Sequence, residues 1–307
     1  MIKIQNFING KLIQPNSGDY FDNSTPVTGK IYSQVPDSDG TDIDKAVSSA
    51  KEAFKTWSKL PQKERYDHIM RLADEIEAHF DEMVEAESKD NGKPEWLARA
   101  VDIPRASENF RFFATASLHF DSEIHEMDGK ALNYTLRQPV GVVGCISPWN
   151  LPLYLLTWKI APALAAGNTV VAKPSEITPM TAFLFSKICK KINFPKGVLN
   201  IVHGFGHKVG DALSKHPDVP IISFTGGTAT GEKIAAVAAP MFKKLSLELG
   251  GKNPNIVFED AEFNKSVDMA VKAAFSNQGQ ICLCGSRLFV QDSIYEKFRH
   301  RVVEKTK

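Results

Sequence analysis

Short apolar runs in the second half of the chain constrain its fold more than any other feature. They are Val142–Ile146, Thr169–Ala172, Leu199–Val202, Ile221–Phe224 and Asn255–Phe258. Most are separated by stretches with helical character, such as Met180–Lys191 and Glu232–Ala239. Buried strands that alternate with helices are typical of a parallel sheet covered on both faces. The pattern predicts an α/β fold that binds ligands at the carboxyl ends of its strands.

The first half of the chain is predicted to hold a β-hairpin followed by helices. Asn9-Gly10 lies between two short apolar runs and is typical of a type I′ turn, because both residues accept positive φ. Thr41 with Asp44 three residues later resembles a capping box and precedes apolar residues at helical spacing. A further strand is expected over Leu132–Leu136, just before the first buried run.

Composition excludes several classes of protein. The 307 residues include 37 Lys and Arg against 36 Asp and Glu, and this balance disfavours nucleic-acid binding through the overall field. An apolar fraction of 43% is enough to build a core, so disorder over most of the chain is not expected. No run of about 18 apolar residues is present, and we predict no membrane span. A chain of this length is expected to form two domains.

Four cysteines, Cys145, Cys189, Cys282 and Cys284, are expected to be free thiols. A chain of this length does not need disulfides, and its first residues lack the apolar stretch of a signal peptide. We therefore predict a cytoplasmic protein. A free cysteine is most often a small buried hydrophobe. A Cys-x-Cys pair is also found in metal sites, but no second pair is present to complete one.

Two glycine-containing loops follow predicted strands and favour a nucleotide ligand. His203–Gly210 has the spacing G-x-G-x-x-x-G, one residue longer than the usual dinucleotide fingerprint. Thr225–Gly231 opens a predicted helix, where backbone N–H groups can approach a pyrophosphate. Each loop alone is equally compatible with a plain turn. We interpret His203 and His207 as exposed loop histidines rather than a metal-binding pair.

Several polar residues near strand ends are suited to catalysis or binding. Cys282 follows a Gly-Gln turn and is a candidate nucleophile. Glu248, flanked by leucines before a glycine turn, is expected to be desolvated, which suits a carboxylate to proton transfer. Asn150, between two prolines, is a candidate oxyanion donor. Lys173 and Glu176 suit ribose hydroxyls and phosphates, although a surface ion pair explains their spacing equally well.

Together these motifs resemble the signatures of the NAD(P)-dependent aldehyde dehydrogenase superfamily. The resemblance rests on Leu247–Lys252 and Gly279–Cys282, with Pro148–Asn150, Lys173–Glu176 and Phe224–Thr228 in the family's order. It implies an aldehyde dehydrogenase-like α/β fold with a Rossmann-type NAD-binding domain over residues 1–119 and 141–247. It further implies a protruding β segment for oligomerisation over 120–140 and the N-terminal part of a catalytic domain over 248–307.

The resemblance also implies a reaction, the oxidation of an aldehyde to a carboxylic acid with NAD. In this reaction Cys282 attacks the aldehyde, Asn150 and the Cys282 backbone N–H hold the oxyanion, and Glu248 activates the hydrolytic water. Lys159 matches a family position near the site and is a candidate proton relay. No metal is implied.

A set of cofactor-binding residues follows from the same resemblance. They are Ile146, Ser147, Pro148, Trp149, Lys173, Ser175, Glu176, Gly206, Gly210, Phe224, Thr225, Gly226, Gly227 and Leu249. Glu176 beside the adenosine ribose favours NAD over NADP. Gly227 stands where the family usually has serine, and we expect the backbone N–H groups to keep NAD binding intact.

Four segments resemble a narrower branch of the family, the 2-aminomuconic semialdehyde dehydrogenases, whose neighbours are the hydroxymuconic semialdehyde dehydrogenases. They are Asp102–Arg105, Asn109–Ala114, Leu153–Lys159 and Ile281–Cys284. Substrates of this branch carry carboxylates, which makes Arg105 the candidate carboxylate clamp. An ion pair between Arg105 and Asp102 is the alternative role.

The expected function is therefore oxidation of 2-aminomuconic semialdehyde. Hydroxymuconic and simple aliphatic aldehydes are alternative substrates. The expected assembly is a homodimer or homotetramer without nucleic-acid or membrane partners. Members of the family continue well beyond the position of Lys307, so we expect a truncated chain or a fragment. An inactive fragment is the further alternative.

Overall fold

A seven-stranded sheet lies at the centre of the larger of two structural units in the computed structural model, which describes residues 1–307. The larger unit comprises Met1–Thr225 and Ala229–Leu247, and the smaller comprises Gly226–Thr228 and Glu248–Lys307. The predicted α/β fold is confirmed. The strands are β1 (Ile2–Lys3), β2 (Asn6–Ile8), β3 (Lys11–Ile13), β4 (Tyr20–Ser24), β5 (Ile31–Pro36), β6 (Ile124–Met127), β7 (Ala131–Tyr134), β8 (Val142–Ile146), β9 (Thr169–Lys173), β10 (Leu199–Ile201), β11 (Ile221–Gly226), β12 (Lys244–Leu249), β13 (Pro254–Val257) and β14 (Arg287–Val290). The helices are α1 (Gly40–Trp57), α2 (Gln62–Ala78), α3 (Phe80–Asn91), α4 (Glu95–Leu97), α5 (Ile103–Leu118), α6 (Pro152–Ala165), α7 (Met180–Lys191), α8 (Asp211–Lys215), α9 (Thr228–Ala238), α10 (Phe263–Phe275) and α11 (Tyr295–Thr306).

The order of strands in the large sheet reverses at β8. The order is β12-β11-β8-β9-β10-β2-β3, and β8, β9, β10 and β11 run parallel. The chain passes outward from β8 through β9 to β10, and then returns to the opposite side of β8 to form β11. Open α/β sheets bind ligands at the carboxyl ends of their strands, where the order reverses in this way. A ligand is therefore expected to bind at the carboxyl ends of β8 and β11.

The predicted hairpin at the start of the chain is confirmed. β2 and β3 pair antiparallel, and Asn9 and Gly10 between them have φ values of 52° and 73°. These are the left-handed conformations that a type I′ turn requires. Asn200 on β10 accepts a hydrogen bond from the Asn9 N–H at 3.0 Å, which ties the turn to the sheet.

The N-terminus of α1 differs from the prediction. Asp39, not Thr41, is the capping residue, and its side chain accepts the Thr41 N–H at 2.8 Å. Asp42 completes the capping box by accepting the Asp39 N–H at 3.3 Å. Asp42 is buried and also accepts the Asn16 N–H at 3.0 Å. The predicted box of Thr41 and Asp44 was wrong because this contact with a distant segment selects Asp42.

The core of the larger unit forms where helices cover the sheet. Helix α2 buries residues at steps of three and four, as an amphipathic helix does, namely Ile69, Leu72, Ala73 and Ile76. Trp57 at the end of α1 is fully buried and donates its indole N–H to the Leu164 carbonyl on α6 at 3.2 Å. A buried Trp with its N–H satisfied combines apolar area with a specific anchor.

Three smaller sheets complete the structure. β1, β5 and β4 form one sheet, β6 and β7 form an antiparallel pair, and β13 and β14 form a parallel pair. Every residue of β6 and β7 is exposed. In the smaller unit, helices α10 and α11 and strand β13 enclose a core of Val257, Val267, Ala270 and Phe298. None of the helices is both long and apolar enough to cross a membrane.

Candidate active site

Three of the predicted cofactor residues lie in one row across the sheet. Phe224 on β11 is in register with Ile146 on β8, and Ile146 is in register with Lys173 on β9. The Ser147 N–H donates to the Lys173 carbonyl at 3.1 Å, so the chain stays beside β9 for one residue after β8 ends. The register therefore brings these four residues together at the carboxyl ends of adjacent strands.

Ser147 carries an orphaned hydroxyl at this edge. Its side chain is 4% exposed, and its Oγ has no hydrogen-bond partner in the chain. Buried polar atoms in proteins are almost always paired. A polar group from a bound molecule would satisfy this hydroxyl, which fits the predicted cofactor site. The next residue, Pro148, is half-buried, and Trp149 is partly exposed.

Lys173 and Glu176 form an ion pair just beyond β9. The ion pair considered as the alternative is therefore present, but it is largely buried, with side chains 3% and 29% exposed. Glu176 Oε1 also accepts the Gly206 N–H at 3.2 Å. Burial opposes ionisation of Glu176, but the Lys173 ammonium and the backbone donors lower its pKa overall. The pair therefore presents a fixed, ionised carboxylate at the sheet edge.

The neighbouring loops also lie at this edge. Ser175 is buried, and its Oγ accepts the Ile177 N–H at 3.2 Å. Residues from Gly206 to Gly210 form a π-helical turn that leads directly into α8. Thr225 and Gly226 end β11, and α9 begins after Gly227, as the glycine-loop prediction required. An added Cβ on Gly227 would have no heavy atom within 4 Å, so packing does not require glycine there.

The two histidines of the first glycine loop have different environments. His207 is exposed as predicted, but His203 is only 1% exposed, so the prediction for His203 was wrong. The His203 N–H donates to Asn6 Oδ1 at 2.8 Å, which fixes the residue against β2. Burial lowers the pKa of His203 to about 3, and the nearby Lys173 charge adds to the effect. His203 is therefore neutral, and neither ring nitrogen has a hydrogen-bond partner in the chain.

Asn150 lies in the connection between β8 and α6, and distant residues hold its backbone. Its carbonyl accepts the Lys93 ammonium at 3.2 Å and the Asn91 side-chain amide at 3.4 Å. The same Asn91 amide donates to the Trp149 carbonyl at 3.0 Å. Lys159 on α6 is 4% exposed, and its ammonium donates to Ser223 Oγ on β11 at 3.3 Å.

In the smaller unit, Cys282 and Cys284 have opposite environments. Cys282 is exposed, whereas Cys284 is 7% exposed. Asn253 Nδ2 donates to the Cys282 carbonyl at 2.6 Å and to the Cys284 carbonyl at 3.3 Å. One side chain therefore fixes the backbone on both sides of Leu283, with the Cys282 thiol accessible.

The backbone before Cys282 is strained. Asn277, Gln278 and Gly279 follow one another with φ values of 50°, 57° and 72°. Left-handed conformations are unfavourable for residues other than glycine, and they cluster at functional sites. This is a structural signal for the loop that the sequence motif alone did not give.

Glu248 lies on β12 and is exposed, so the predicted desolvation was wrong for this chain. The residues of β12 alternate between exposed and half-buried, because successive side chains of a strand point to opposite faces. Glu248 belongs to the exposed set, and the next residue, Leu249, is half-buried.

Arg105 does not pair with Asp102, so the alternative role considered for it was wrong. Asp102 is fully buried and binds Lys93 at 2.8 Å. Arg105 instead points outward, donates to Glu108 Oε2 at 3.1 Å and has its guanidinium carbon 5.5 Å from the centre of the Tyr154 ring. Its side chain is 45% exposed and remains accessible to a ligand.

Glu87, Asn91 and Lys93 were not predicted from the sequence, and Asp102 was considered only as a partner of Arg105. On α3, Met83, Glu87 and Asn91 follow one another at steps of four, and all three are buried. A carboxylate on the apolar face of a helix is rarely buried without a cation. The spacing of these residues could have indicated that Glu87 is buried and needs a cation, but it does not identify Lys93 as that cation.

Comparisons with known proteins agree with these observations. The sequence model described as Aldehyde dehydrogenase family matches residues 12–307. Human 2-aminomuconic semialdehyde dehydrogenase is 53% identical over 100% of this chain and 63% of its own length. The 2-hydroxymuconic semialdehyde dehydrogenase of Pseudomonas sp. (strain CF600) is 45% identical over 98% of this chain and 63% of its own length.

Solved structures match equally well. The NAD+ complex of aldehyde dehydrogenase from Bacillus cereus has a TM-score of 0.97 and 40% identity, over 99% of this chain and 62% of that chain. The chain thus spans 63% of the length of the curated relatives described above. The chain belongs to the aldehyde dehydrogenase family.

Proposed function

We propose that the protein of which this chain is part oxidises an aldehyde to a carboxylic acid with NAD. The observation that carries the proposal is the exposed thiol of Cys282 on a loop whose backbone Asn253 fixes at 2.6 Å and 3.3 Å. An accessible thiol on a fixed loop can attack an electrophile, whereas a buried one cannot. Because the chain spans 63% of its relatives' length, the activity is proposed for the longer protein.

The first step is covalent. The Cys282 thiolate adds to the aldehyde carbon, and the carbonyl oxygen becomes an oxyanion. We assign the Asn150 side-chain amide and the Cys282 backbone N–H as its donors, because preorganised donors stabilise charge that develops in a transition state. Loss of a hydride from the same carbon converts this thiohemiacetal into a thioester. NAD, when bound, supplies the acceptor for that hydride.

The second step releases the product. Glu248 takes a proton from water, and the resulting hydroxide adds to the thioester carbon. The carbon–sulfur bond then breaks, which releases the carboxylic acid and returns Cys282 to its thiolate form. The exposure of Glu248 in this chain leaves its carboxylate accessible to water. The position of the Lys159 ammonium, at 3.3 Å from Ser223 Oγ, supports its assignment as a proton relay.

The residues at the sheet edge fit NAD. The carboxylate of Glu176 suits the ribose hydroxyls, Ser147 offers an unpaired buried hydroxyl, and the glycines after β11 open α9 for phosphate contacts. A 2′-phosphate beside Glu176 would bring two negative charges together, which disfavours NADP. We therefore propose NAD as the cofactor, bound by the residues that the sequence resemblance implies.

For the substrate, we propose 2-aminomuconic semialdehyde. The human dehydrogenase named for that substrate is 53% identical to this chain, and Arg105 is an accessible guanidinium suited to a carboxylate. The second candidate is a hydroxymuconic semialdehyde, because the Pseudomonas relative named for one is 45% identical. Simple aliphatic aldehydes are the third candidate.

Domain roles follow the resemblance and are proposals as well. We assign NAD binding to 1–119 and 141–247, catalysis to 248–307 and self-association to 120–140. The fully exposed pair β6 and β7 within 120–140 supports the last assignment, because unpaired strand edges readily pair with another chain. A homodimer or homotetramer in the cytoplasm is the expected state.

The decisive assay follows NADH absorbance when the full-length protein meets NAD and each candidate aldehyde. We expect turnover that is lost in Cys282→Ser and retained in the matched variant Cys284→Ser. An inactive parent protein with all three aldehyde classes would contradict the proposal. Activity that survives Cys282→Ser would contradict the role of Cys282.

A further inference from the structure

We infer that Asn91 and Lys93 are positioning residues that set the backbone of Asn150, and hence the direction of its side chain. The inference rests on the proposed function, in which Asn150 holds the oxyanion. It concerns four buried polar residues outside the catalytic set, which we call the 87–102 network: Glu87, Asn91, Lys93 and Asp102.

The network contacts the chain around Asn150 and again at Leu153. Asn91 Nδ2 donates to the Trp149 and Asn150 carbonyls at 3.0 Å and 3.4 Å, and Lys93 Nζ donates to the Asn150 carbonyl at 3.2 Å. At the other end, Glu87 Oε2 accepts the Leu153 N–H at 3.5 Å, one residue into α6. These contacts restrain the peptide units on either side of the Asn150 side chain.

A tight turn brings both donors to the same place. Gly92 ends α3 in the left-handed conformation, with φ of 79°, so that the chain reverses between Asn91 and Lys93. A Cβ on Gly92 would lie 2.9 Å from Pro26 Cγ, so only glycine fits there. The Ser88 hydroxyl closes the turn by donating to the Lys93 carbonyl at 2.6 Å.

Two carboxylates fix the lysine in turn. The Lys93 side chain is fully buried, with Asp102 Oδ1 at 2.8 Å and Glu87 Oε1 at 3.5 Å from its Nζ. Burying an ion pair is weak support for stability, because apolar residues of similar volume are often as stable. The placement of an oxyanion donor is a stronger reason to keep this buried network, because a misplacement of about 1 Å in a site can cost roughly 100-fold in rate.

Asn91→Ala is the informative variant, and Asn109→Ala is its matched control. Both residues are buried asparagines, at 8% and 2% exposure. Asn109 Nδ2 donates to the Tyr154 carbonyl at 3.1 Å and to Thr157 Oγ1 at 3.0 Å, so it holds α6 rather than the Asn150 backbone. The two variants therefore lose similar buried hydrogen bonds at different places.

In the full-length enzyme, we expect Asn91→Ala to slow the first turnover of NADH formation about 10-fold or more, with the KM for NAD unchanged. Asn109→Ala should change that rate less than about threefold at a similar loss of thermal stability. In an Asn150→Ala background, Asn91→Ala should add less than about twofold, because it acts through Asn150. Losses that multiply in the double variant, or an equal loss in Asn109→Ala, would overturn the inference.

Hydrogen exchange separates this inference from the proposed function. We expect Asn91→Ala to increase deuterium uptake in peptides covering 149–153, and Asn109→Ala to leave those peptides unchanged. If the parent enzyme oxidises no aldehyde, the proposed function is wrong, and the positioning role is then judged by hydrogen exchange alone. Unchanged deuterium uptake in Asn91→Ala would overturn that role. If Asn91→Ala does not fold, Asn91→Asp keeps the size of the side chain, removes the donor and is judged by the same criteria.

Discussion

The carboxylate of Glu176 is held between the Lys173 ammonium and the Gly206 N–H, the latter at 3.2 Å. The contact joins the loop after β9 to the loop after β10, and it leaves 29% of the Glu176 side chain exposed. An ionised carboxylate fixed at the end of a parallel strand is a suitable acceptor for two neighbouring hydroxyls. Cofactor choice is therefore expected to depend on this residue.

Replacing Glu176 with Gln should relax discrimination against NADP. The change removes a negative charge from the proposed 2′ position, which is worth on the order of 1 kcal/mol or more in the ratio of kcat/KM for NAD and NADP. Glu108→Gln, on the exposed face of α5, is the control and should leave the ratio unchanged. If the parent enzyme uses NAD and NADP equally, the role given to Glu176 is wrong.

Iodoacetamide at neutral pH should modify Cys282 before any other cysteine. Cys282 is exposed, Cys284 is buried, and burial raises the pKa of Cys145 to about 12. Burial also raises the pKa of the Cys189 thiol. Peptide mass spectrometry after short labelling times gives the order directly. Faster labelling of Cys284 would show that the assignment of the nucleophile is wrong.

The parts of the fold that the sequence predicted are those set by local pattern. The runs that became β8, β9, β10 and β11 were recognisable because buried parallel strands need apolar side chains on both faces. The Asn9-Gly10 turn was recognisable because its backbone conformation restricts the residue types. Cys282 was singled out as the candidate nucleophile from its motif, and its exposure is compatible with that role.

The errors concern polar residues whose environment depends on distant parts of the chain. His203 lies just after β10 and is buried where its N–H binds the side chain of Asn6, 197 positions away in sequence. Asp102 is buried because Lys93 is brought to it by the turn after α3, and this contact leaves Arg105 without the partner considered for it. Spacing along the chain does not carry such information, because a tertiary contact decides which polar side chain is covered.

His203 should make the folded protein sensitive to acid. Its pKa is about 3 in the fold and 6.5 ordinarily, so below pH 6.5 the unfolded chain binds a proton that the folded chain does not. Stability is therefore lost as pH falls, by about 1.4 kcal/mol between about pH 7.5 and 5.5 for this group alone. Urea denaturation at the two pH values should show that His203→Phe reduces the acid-induced loss of stability by about this amount relative to the parent.

The exposed His207 provides the control for that experiment. His207→Phe replaces an exposed histidine of the same loop and should keep the pH dependence of the parent. The same pH dependence in His203→Phe and in the parent would contradict the neutral, buried state of His203.

Arg105→Ala should distinguish charged from neutral substrates. If Arg105 binds a substrate carboxylate, the KM for a muconic semialdehyde should rise roughly 10-fold, the scale of one charged hydrogen bond. The KM for hexanal should change little. Glu108→Ala removes the local partner of Arg105 and should spare both substrates. Equal losses on both aldehydes in Arg105→Ala would indicate a structural role.

The covalent intermediate on Cys282 is the central claim, and trapping it is the most direct test. In Glu248→Gln the amide cannot take a proton from water, so hydrolysis should slow more than thioester formation. Mixing the full-length variant with NAD and aldehyde should give a burst of NADH and a mass increase equal to the acyl group, located by peptide mapping on Cys282. Unchanged steady-state turnover, or an acyl group on Cys284 instead, would contradict the account.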